Sequence, residues 1–140
     1  MDSGGYTPAA MLKSVANTKG VEVEVQSRYV PERSAPERGG WFFAYTVRIT
    51  NHGKDTVQLV SRHWIIRDAT GKEEIVRGPG VVGEQPVLRT GESFEYTSAC
   101  PLRTRSGSMH GTYQMVVSGS REPFNAEIAR FTLSTPEALN

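Results

Sequence analysis

The chain has 140 residues, with 16 basic and 15 acidic side chains and a formal net charge of +1. That length is typical of one domain built around one hydrophobic core. The near-balance of charge gives no electrostatic reason to bind nucleic acid or an anionic membrane surface. The single cysteine, Cys100, has no partner for an internal disulfide or a thiolate zinc cluster.

Two further features of the sequence bear on location. The longest apolar run, at residues 41–45, is far too short to span a bilayer. The first twenty residues have no sustained apolar stretch of the kind found in a secretory signal peptide. We therefore expect a small cytoplasmic domain without membrane insertion.

The N-terminal half of the chain divides into a leader, two strands and a loop. Residues 1–19 show no sustained periodicity, which predicts a flexible leader before one domain at residues 20–140. Apolar and charged residues alternate strictly at 21–25, as in a strand with one buried face. A polar loop at 31–40 precedes the strongest strand pattern, at 41–50, where aromatic and β-branched residues dominate.

The rest of the chain contains further strand patterns separated by turns. These are predicted at residues 56–68, 73–77, 94–100, 109–118 and 124–133. Nothing between them is long enough for the helical crossovers that parallel strands need, so the sheets are predicted to be antiparallel. The seven or eight strands predict an all-β immunoglobulin- or fibronectin type III-like sandwich, with a closed barrel as the alternative.

The predicted strand at 56–68 contains the run Arg62-His63-Trp64. Neighbouring side chains of a strand point to opposite faces, so Trp64 and His63 differ in their surroundings. We expect Trp64 to lie buried between the two sheets. The competing interpretation makes Trp64 an exposed aromatic of a binding surface, flanked by Arg62 and His63.

Residues 78–83 match the pattern G-x-G-x-x-G. In dinucleotide-binding folds a helix follows these glycines and supplies much of the attraction for phosphate, whereas here the chain leads into more strand. A Rossmann-type nucleotide site is therefore not predicted. Two interpretations stay open: a structural loop, or an anion site in which Arg77, Gly78, Gly80 and Gly83 hold pyrophosphate or a nucleotide phosphate.

Catalytic and metal-binding residues show no recognisable arrangement. The histidines at positions 52, 63 and 110 lack the local spacing of a metal motif. Ser61 and His63 lie side by side on one face of a predicted strand and Asp68 lies on the other, which is not a nucleophile–base–orienter line. Cys100 is interpreted as a small apolar filler. The sequence predicts no enzyme activity, no cofactor and no metal site.

Several segments together resemble the bacterial ApaG family. They are found at residues 43–45, 58–64 (QLVSRHW), 78–86 (GPGVVGEQP), 96–98, 108–115 (SMHGTYQM) and 131–133. The similarity covers about residues 20–133, and the R-H-W run with G-x-G-V-V-G-E-x-P is far more specific than the glycine pattern alone. Cys100 replaces an expected glycine and Ala129 an expected proline, which concerns turn and edge geometry.

The resemblance implies a fibronectin type III-like sandwich without established catalytic residues. It also implies a link to cobalt resistance and magnesium efflux, and a gene neighbour that encodes a dinucleoside-tetraphosphate hydrolase. Related domains occur in eukaryotic F-box proteins and in a polymerase-interacting protein, where protein binding is the supposed role.

Three functions follow as predictions. The leading one is a non-enzymatic module that presents sandwich edges or loops to a protein partner, including an edge formed by the aromatic-rich strands near the loop at 31–40. The alternative is small-anion binding at the glycine-rich loop. The third, prompted only by the link to cobalt and magnesium, is direct metal contact through His63 or His110 with nearby carboxylates.

Overall fold

The structure is a computed structural model, and it describes residues 12–139 of the chain. This part of the chain is almost entirely β. Its strands are β1 (Lys13–Thr18), β2 (Val21–Tyr29), β3 (Trp41–Asn51), β4 (Val57–Asp68), β5 (Glu73–Pro79), β6 (Val87–Leu88), β7 (Ser93–Leu102), β8 (Ser106–Val117) and β9 (Pro123–Ser134). Two 3-10 turns, Pro31–Arg33 and Pro36–Arg38, lie between β2 and β3, and helix α1 (Pro136–Leu139) follows β9.

The strands form two antiparallel sheets that pack face to face. One sheet has the order β1-β2-β3-β7, and the other has the order β5-β4-β8-β9 with the short β6 paired to the end of β4. This confirms the predicted antiparallel β-sandwich. Within the described residues, no helix has the length and apolar character that crossing a membrane requires.

Strand β1 lies where the sequence predicts a flexible leader. Residues 13–18 pair with β2 along their whole length, from Lys13 opposite Gln26 to Thr18 opposite Val21. The leader interpretation therefore does not hold for Lys13–Thr18, while residues 1–11 lie outside the described part of the chain. The alternation at 21–25 belongs to β2, which is a central strand rather than the first strand of its sheet.

The core follows the alternation that the sequence shows. Phe43, Val47 and Ile49 on β3 are fully buried, as the pattern at 41–50 predicts. Trp64 is 2% exposed and lies between the sheets, which confirms its predicted burial. Its ring makes edge contacts with Tyr45 at a centroid distance of 5.4 Å, and with two further aromatic rings of β8 and β9.

The two long sides of the sandwich differ. On the side of β1 and β9 the sheets are joined by hydrogen bonds, because the Ser14 hydroxyl donates to the Ala129 carbonyl at 2.8 Å and the Glu127 amide donates to Thr18 Oγ1 at 3.0 Å. On the opposite side, β5 and β7 are both terminal strands, and no hydrogen bond of the described residues joins them. We call the first the joined side and the second the open side.

The expected edge near the loop at 31–40 is not formed by β3. Strand β3, which carries the aromatic residues, is paired on one side with β2 and on the other with β7. Both backbone edges of β3 are therefore occupied, and the strands that follow this loop offer no free edge through β3. The terminal strands of the two sheets are β5 and β7 on the open side and β1 and β9 on the joined side.

Candidate functional site

The glycine-rich segment forms a tight reverse turn after β5. The Val81 amide donates to the Glu84 carbonyl and the Glu84 amide donates to the Val81 carbonyl, both at 2.8 Å. The central residues Val82 and Gly83 have φ values of 43° and 82°. Positive φ at both central positions is the geometry of a type I′ hairpin turn, which favours glycine. Gly83 therefore has a backbone reason to be glycine.

The other two glycines of the pattern are required by close approaches. Gly80 has φ 60°, and a Cβ there would overlap the Glu84 carbonyl oxygen. A Cβ on Gly78 would lie 2.9 Å from a guanidinium nitrogen of Arg62. Arg62 Nη1 in turn donates to the Pro79 carbonyl at 3.0 Å and to the Gly80 carbonyl at 2.9 Å. The R-H-W run and the glycine pattern are thus parts of one structural unit.

Backbone donors of this turn are largely used within the fold. The Gly80 amide donates to the Val60 carbonyl at 2.8 Å, in addition to the two bonds that close the turn between Val81 and Glu84. An anion nest requires several neighbouring backbone N–H groups that point to one place. Gly80 and Gly83 each have a backbone reason to be glycine. They belong to the turn after β5, whereas Arg77 belongs to β5 itself.

A pocket of about 390 Å³ lies on the face of the second sheet that points away from the core. We call it the outer-face pocket; it is lined by Ser61, Arg62, His63, Arg77, Gly78 and Gln114. The register of the sheet places these residues together, because His63 on β4 lies opposite Arg77 on β5, and Ser61 lies opposite Gln114 on β8. Arg77 and Gly78 of the predicted anion site belong to this pocket.

Hydrogen bonds order one wall of the outer-face pocket. Ser61 Oγ donates to Gln114 Oε1 at 2.8 Å, and Gln114 Nε2 donates to the Thr112 hydroxyl at 2.8 Å. By contrast, His63 Nε2 is enclosed and has no hydrogen-bond partner in the described part of the chain. Buried polar atoms are usually satisfied, so this nitrogen is unusual.

A second cavity, of about 280 Å³, opens between β5 and β7 on the open side. Its lining includes the aromatic rings of Tyr45 and Trp64, the carboxylate of Glu74 and the thiol of Cys100. Burial, with a smaller contribution from Glu74, raises the pKa of the Cys100 thiol to about 12. A nucleophilic cysteine needs a thiolate at neutral pH, so Cys100 is suited to packing rather than to catalysis.

Comparison with known proteins follows from this geometry. The ApaG domain model matches residues 31–117, which include both the Arg62 strand and the glycine-rich turn. The chain belongs to the ApaG family. Protein ApaG of Bradyrhizobium diazoefficiens is 53% identical over 122 residues, covering 87% of this chain and 93% of that protein. Protein ApaG of Anaeromyxobacter sp. is 56% identical over 127 residues, covering 91% and 99%.

Solved structures support the same family. A Bordetella pertussis protein whose crystal structure carries the name ApaA superposes with a TM-score of 0.81 at 52% identity, covering 83% of this chain and 94% of that one. The C-terminal domain of wzt has a TM-score of 0.51 at 10% identity, which is a likeness of fold alone. The ApaG fold is therefore the sandwich described above.

The histidines of this ApaG domain do not converge. His52 Nε2 lies 2.7 Å from Glu22 Oε1, while His63 and His110 belong to different positions of the outer sheet face. Within residues 12–139, no three His, Cys, Asp or Glu side chains are close enough together to hold a metal ion. The structure does not bring His63 or His110 together with a set of carboxylates.

The candidate catalytic residues are likewise separate. Ser61 is bonded to Gln114, and Asp68 accepts hydrogen bonds from the amides of Thr70 at 2.9 Å and Lys72 at 3.1 Å. Asp68 therefore stabilises the turn between β4 and β5. Sequence reasoning missed the pocket formed by His63, Arg77 and Gln114, because it depends on the register between three strands that local patterns do not specify.

Proposed function

We propose that the chain is a non-enzymatic binding module that receives a protein partner on the free edge of β5. The observation that carries the proposal is the contrast between the joined and the open side of the sandwich. An unpaired strand edge presents a row of backbone donors and acceptors to which an extended segment of another protein can add.

Exposed apolar side chains support the choice of β5. Four large apolar residues are strongly exposed in the described part of the chain, and three of them, Ile75, Val82 and Val87, lie on β5, the turn after it and β6. Both β5 and β6 pair with the same edge of β4, so these three side chains follow one border of the sheet. Added strands gain affinity from backbone hydrogen bonds and specificity from alternate side chains.

The fourth exposed apolar residue provides a matched control. Val15 lies on β1, at the joined side, and it is 47% exposed against 57% for Ile75. A photo-crosslinking residue placed at position 75 or at position 15 in cells tests the proposal. We expect one defined protein to be captured from position 75 and not from position 15, and to be lost when Val82→Glu is added.

Two results would contradict this function. One is equal capture of the same proteins from both positions, and the other is no capture from position 75. A purified partner identified in this way is then tested with Ile75→Glu, which we expect to weaken binding, against Val15→Glu, which we expect to leave it unchanged. The cytoplasmic location and the link to cobalt resistance and magnesium efflux stay predictions.

The alternative function is small-anion binding by the residues Arg77, Gly78, Gly80 and Gly83, with pyrophosphate or a nucleotide phosphate as the ligand. One observation supports the participation of Arg77 in this function. Arg77 and Gly78 line the outer-face pocket, and Arg77 makes no ion pair or hydrogen bond with another side chain of the described residues. Backbone amide shifts on addition of pyrophosphate test this function, and their absence would exclude it.

A further inference from the structure

We propose that the outer-face pocket binds a small oxyanion of the phosphate or pyrophosphate class, held chiefly by Arg77, His63 and Gln114. The proposal rests on the alternative function above. It places the ligand on the face of the sheet beside β5, and not among the amides of the glycine-rich turn.

Three lining side chains have a hydrogen-bond donor available on the outer face: the Arg77 guanidinium, the His63 imidazole and the second N–H of the Gln114 amide. The Ser61 hydroxyl already donates to Gln114, and the Arg62 side chain lies on the opposite face of the sheet, like Tyr113 across from it. No lining residue is acidic. No described carboxylate pairs with the Arg77 guanidinium, so this pocket carries an uncompensated positive charge in a chain whose formal net charge is only +1. An anion is the ligand that such a set of donors favours.

Arg77 and His63 lie directly opposite each other on neighbouring strands. Side chains at such positions are within about 5 Å at Cβ, and two basic groups facing each other gain nothing from their contact. An oxyanion between them would accept a hydrogen bond from each. The His63 nitrogen available for this contact is Nδ1, because Nε2 is enclosed and out of reach of a ligand in the pocket.

Another arginine on the same face, two cross-strand pairs further along, behaves differently. Arg67 on β4 lies opposite Glu73 on β5, and its Nε is 3.6 Å from a Glu73 carboxylate oxygen. Arg67 is therefore neutralised within the protein, whereas Arg77 is not neutralised by any described residue. The contrast between two arginines on one sheet face makes Arg67 a matched control for Arg77.

Arg62 lies between the outer-face pocket and the cavity of the open side, since it lines both. The Arg62 side chain lies on the core side of the sheet, like Tyr113 opposite it, and its guanidinium is fixed by bonds to two carbonyl oxygens. It is therefore not a ligand of the proposed anion. That guanidinium fills the space that a side chain on Gly78 would take. The amides of the turn itself are less suitable, because the Gly80 amide already donates to Val60.

Titration of the isotopically labelled full chain with millimolar pyrophosphate, followed by amide chemical shifts, tests the proposal. We expect the largest shifts at Ser61, His63, Arg77 and Gln114. Arg77→Ala removes one charge-assisted contact and should raise the dissociation constant roughly tenfold. Arg67→Ala should leave it within about twofold, since that guanidinium already has a carboxylate partner. Both arginines are on the surface, and a melting curve verifies that each variant is folded.

The possible results separate this proposal from the function on which it rests. Shifts centred on the turn residues 80–84 and unaffected by Arg77→Ala would overturn the pocket as the site, while anion binding would stand. Absence of shifts throughout would overturn both. A second titration with O-phosphoserine distinguishes the source of the anion: pocket shifts that are stronger than those with pyrophosphate indicate a phosphorylated side chain, and weaker ones indicate the free ion.

Discussion

The Arg62 guanidinium on β4 occupies the space that a side chain at Gly78 on the neighbouring strand β5 would take. The guanidinium lies 2.9 Å from the position that a Cβ on residue 78 would take, and it donates to the carbonyl groups that follow that residue. The first glycine of the pattern is therefore explained by an arginine sixteen positions earlier in the chain. This relationship joins two motifs that look independent in the sequence.

The first prediction tests that relationship. Gly78→Ala forces the Arg62 guanidinium to move away from its two carbonyl partners. A hydrogen bond from a charged group contributes about 1.5–3 kcal/mol to stability. Because a flexible side chain can adjust, we expect the free energy of unfolding to fall by about 1–2 kcal/mol. Urea denaturation measures it.

Two controls belong to this experiment. Gly40→Ala meets no atom closer than 3.8 Å and should cost little, because Gly40 does not have a positive φ. In an Arg62→Met background, Gly78→Ala should cost less than in the native chain, since the guanidinium is absent. Equal losses in the two backgrounds would show that Arg62 is not the reason for the glycine.

The second prediction concerns Trp64. Truncation of a buried tryptophan to alanine typically costs about 3–5 kcal/mol, while whole domains are stable by only about 5–15 kcal/mol. We expect Trp64→Ala to be marginally folded or unfolded in a thermal melt. Trp41→Ala, at the partly buried start of β3, is the control and should melt at a higher temperature. A near-normal melting temperature for Trp64→Ala would favour the binding-surface interpretation.

The third prediction is a dependence of stability on alkaline pH. Burial raises the pKa of the Cys100 thiol from 9.0 to about 12, so the folded chain holds this proton more tightly than the unfolded chain. The stabilising contribution is therefore complete below pH 9.0 and is lost as the pH rises from 9.0 towards 12. Burial also raises the pKa of Tyr96 and Tyr113 above 10.0, which adds to the loss above that pH.

Comparison of Cys100→Ala with the native chain isolates the thiol. In urea unfolding across this pH range, the variant should lose stability less steeply from pH 9.0 upwards. Thr97→Ala, an exposed position on the same strand whose hydroxyl bonds only to Thr46, removes no titrating group and should give a curve parallel to that of the native chain. Parallel curves for Cys100→Ala and the native chain would contradict the assignment of this loss to Cys100.

The fourth prediction concerns the joined side. Ser14→Ala removes the hydroxyl that donates to the Ala129 carbonyl between the two sheets, and we expect a loss of about 1 kcal/mol in a thermal or urea melt. Ser93→Ala, whose hydroxyl forms an exposed pair with Thr50, should lose much less. A loss for Ser14→Ala no greater than that for Ser93→Ala would mean that β1 is held by backbone pairing alone.

How far the sequence predicts the fold can be seen from β3 and β1. In β3 alternate side chains are fully buried, so the periodicity is strong and the strand is predicted correctly. In β1 no residue is fully buried, and Val15 points to solvent. The strand is held by its pairing to β2 and its bonds to β9, which are contacts distant in sequence. The local sequence pattern of β1 therefore cannot predict these contacts.

The same distinction applies to the candidate site. The sequence singles out Arg77 and the three glycines, because their types and spacing are local properties. It does not place His63 opposite Arg77, nor Ser61 opposite Gln114, since those neighbours are set by strand order and register. Gly80 and Gly83 each have a backbone reason to be glycine, and this becomes visible when the φ angles and the nearby atoms are known.

Hydrogen bonds join the two sheets at β1 and β9, whereas no hydrogen bond of the described residues joins β5 to β7. We therefore expect the two sheets to separate locally from the open side, at β5 and β7, rather than from β1 and β9. Local opening starts where the fewest interactions cross between layers. Amide hydrogens of β5 and β7 should therefore exchange with solvent sooner than those of β2 and β9. On the joined side the Ser27 hydroxyl of β2 donates to the Thr132 carbonyl of β9 at 2.6 Å. A molecule bound along the open side would hold the two sheets together there, and it would slow the hydrogen exchange of the amides of β5 and β7.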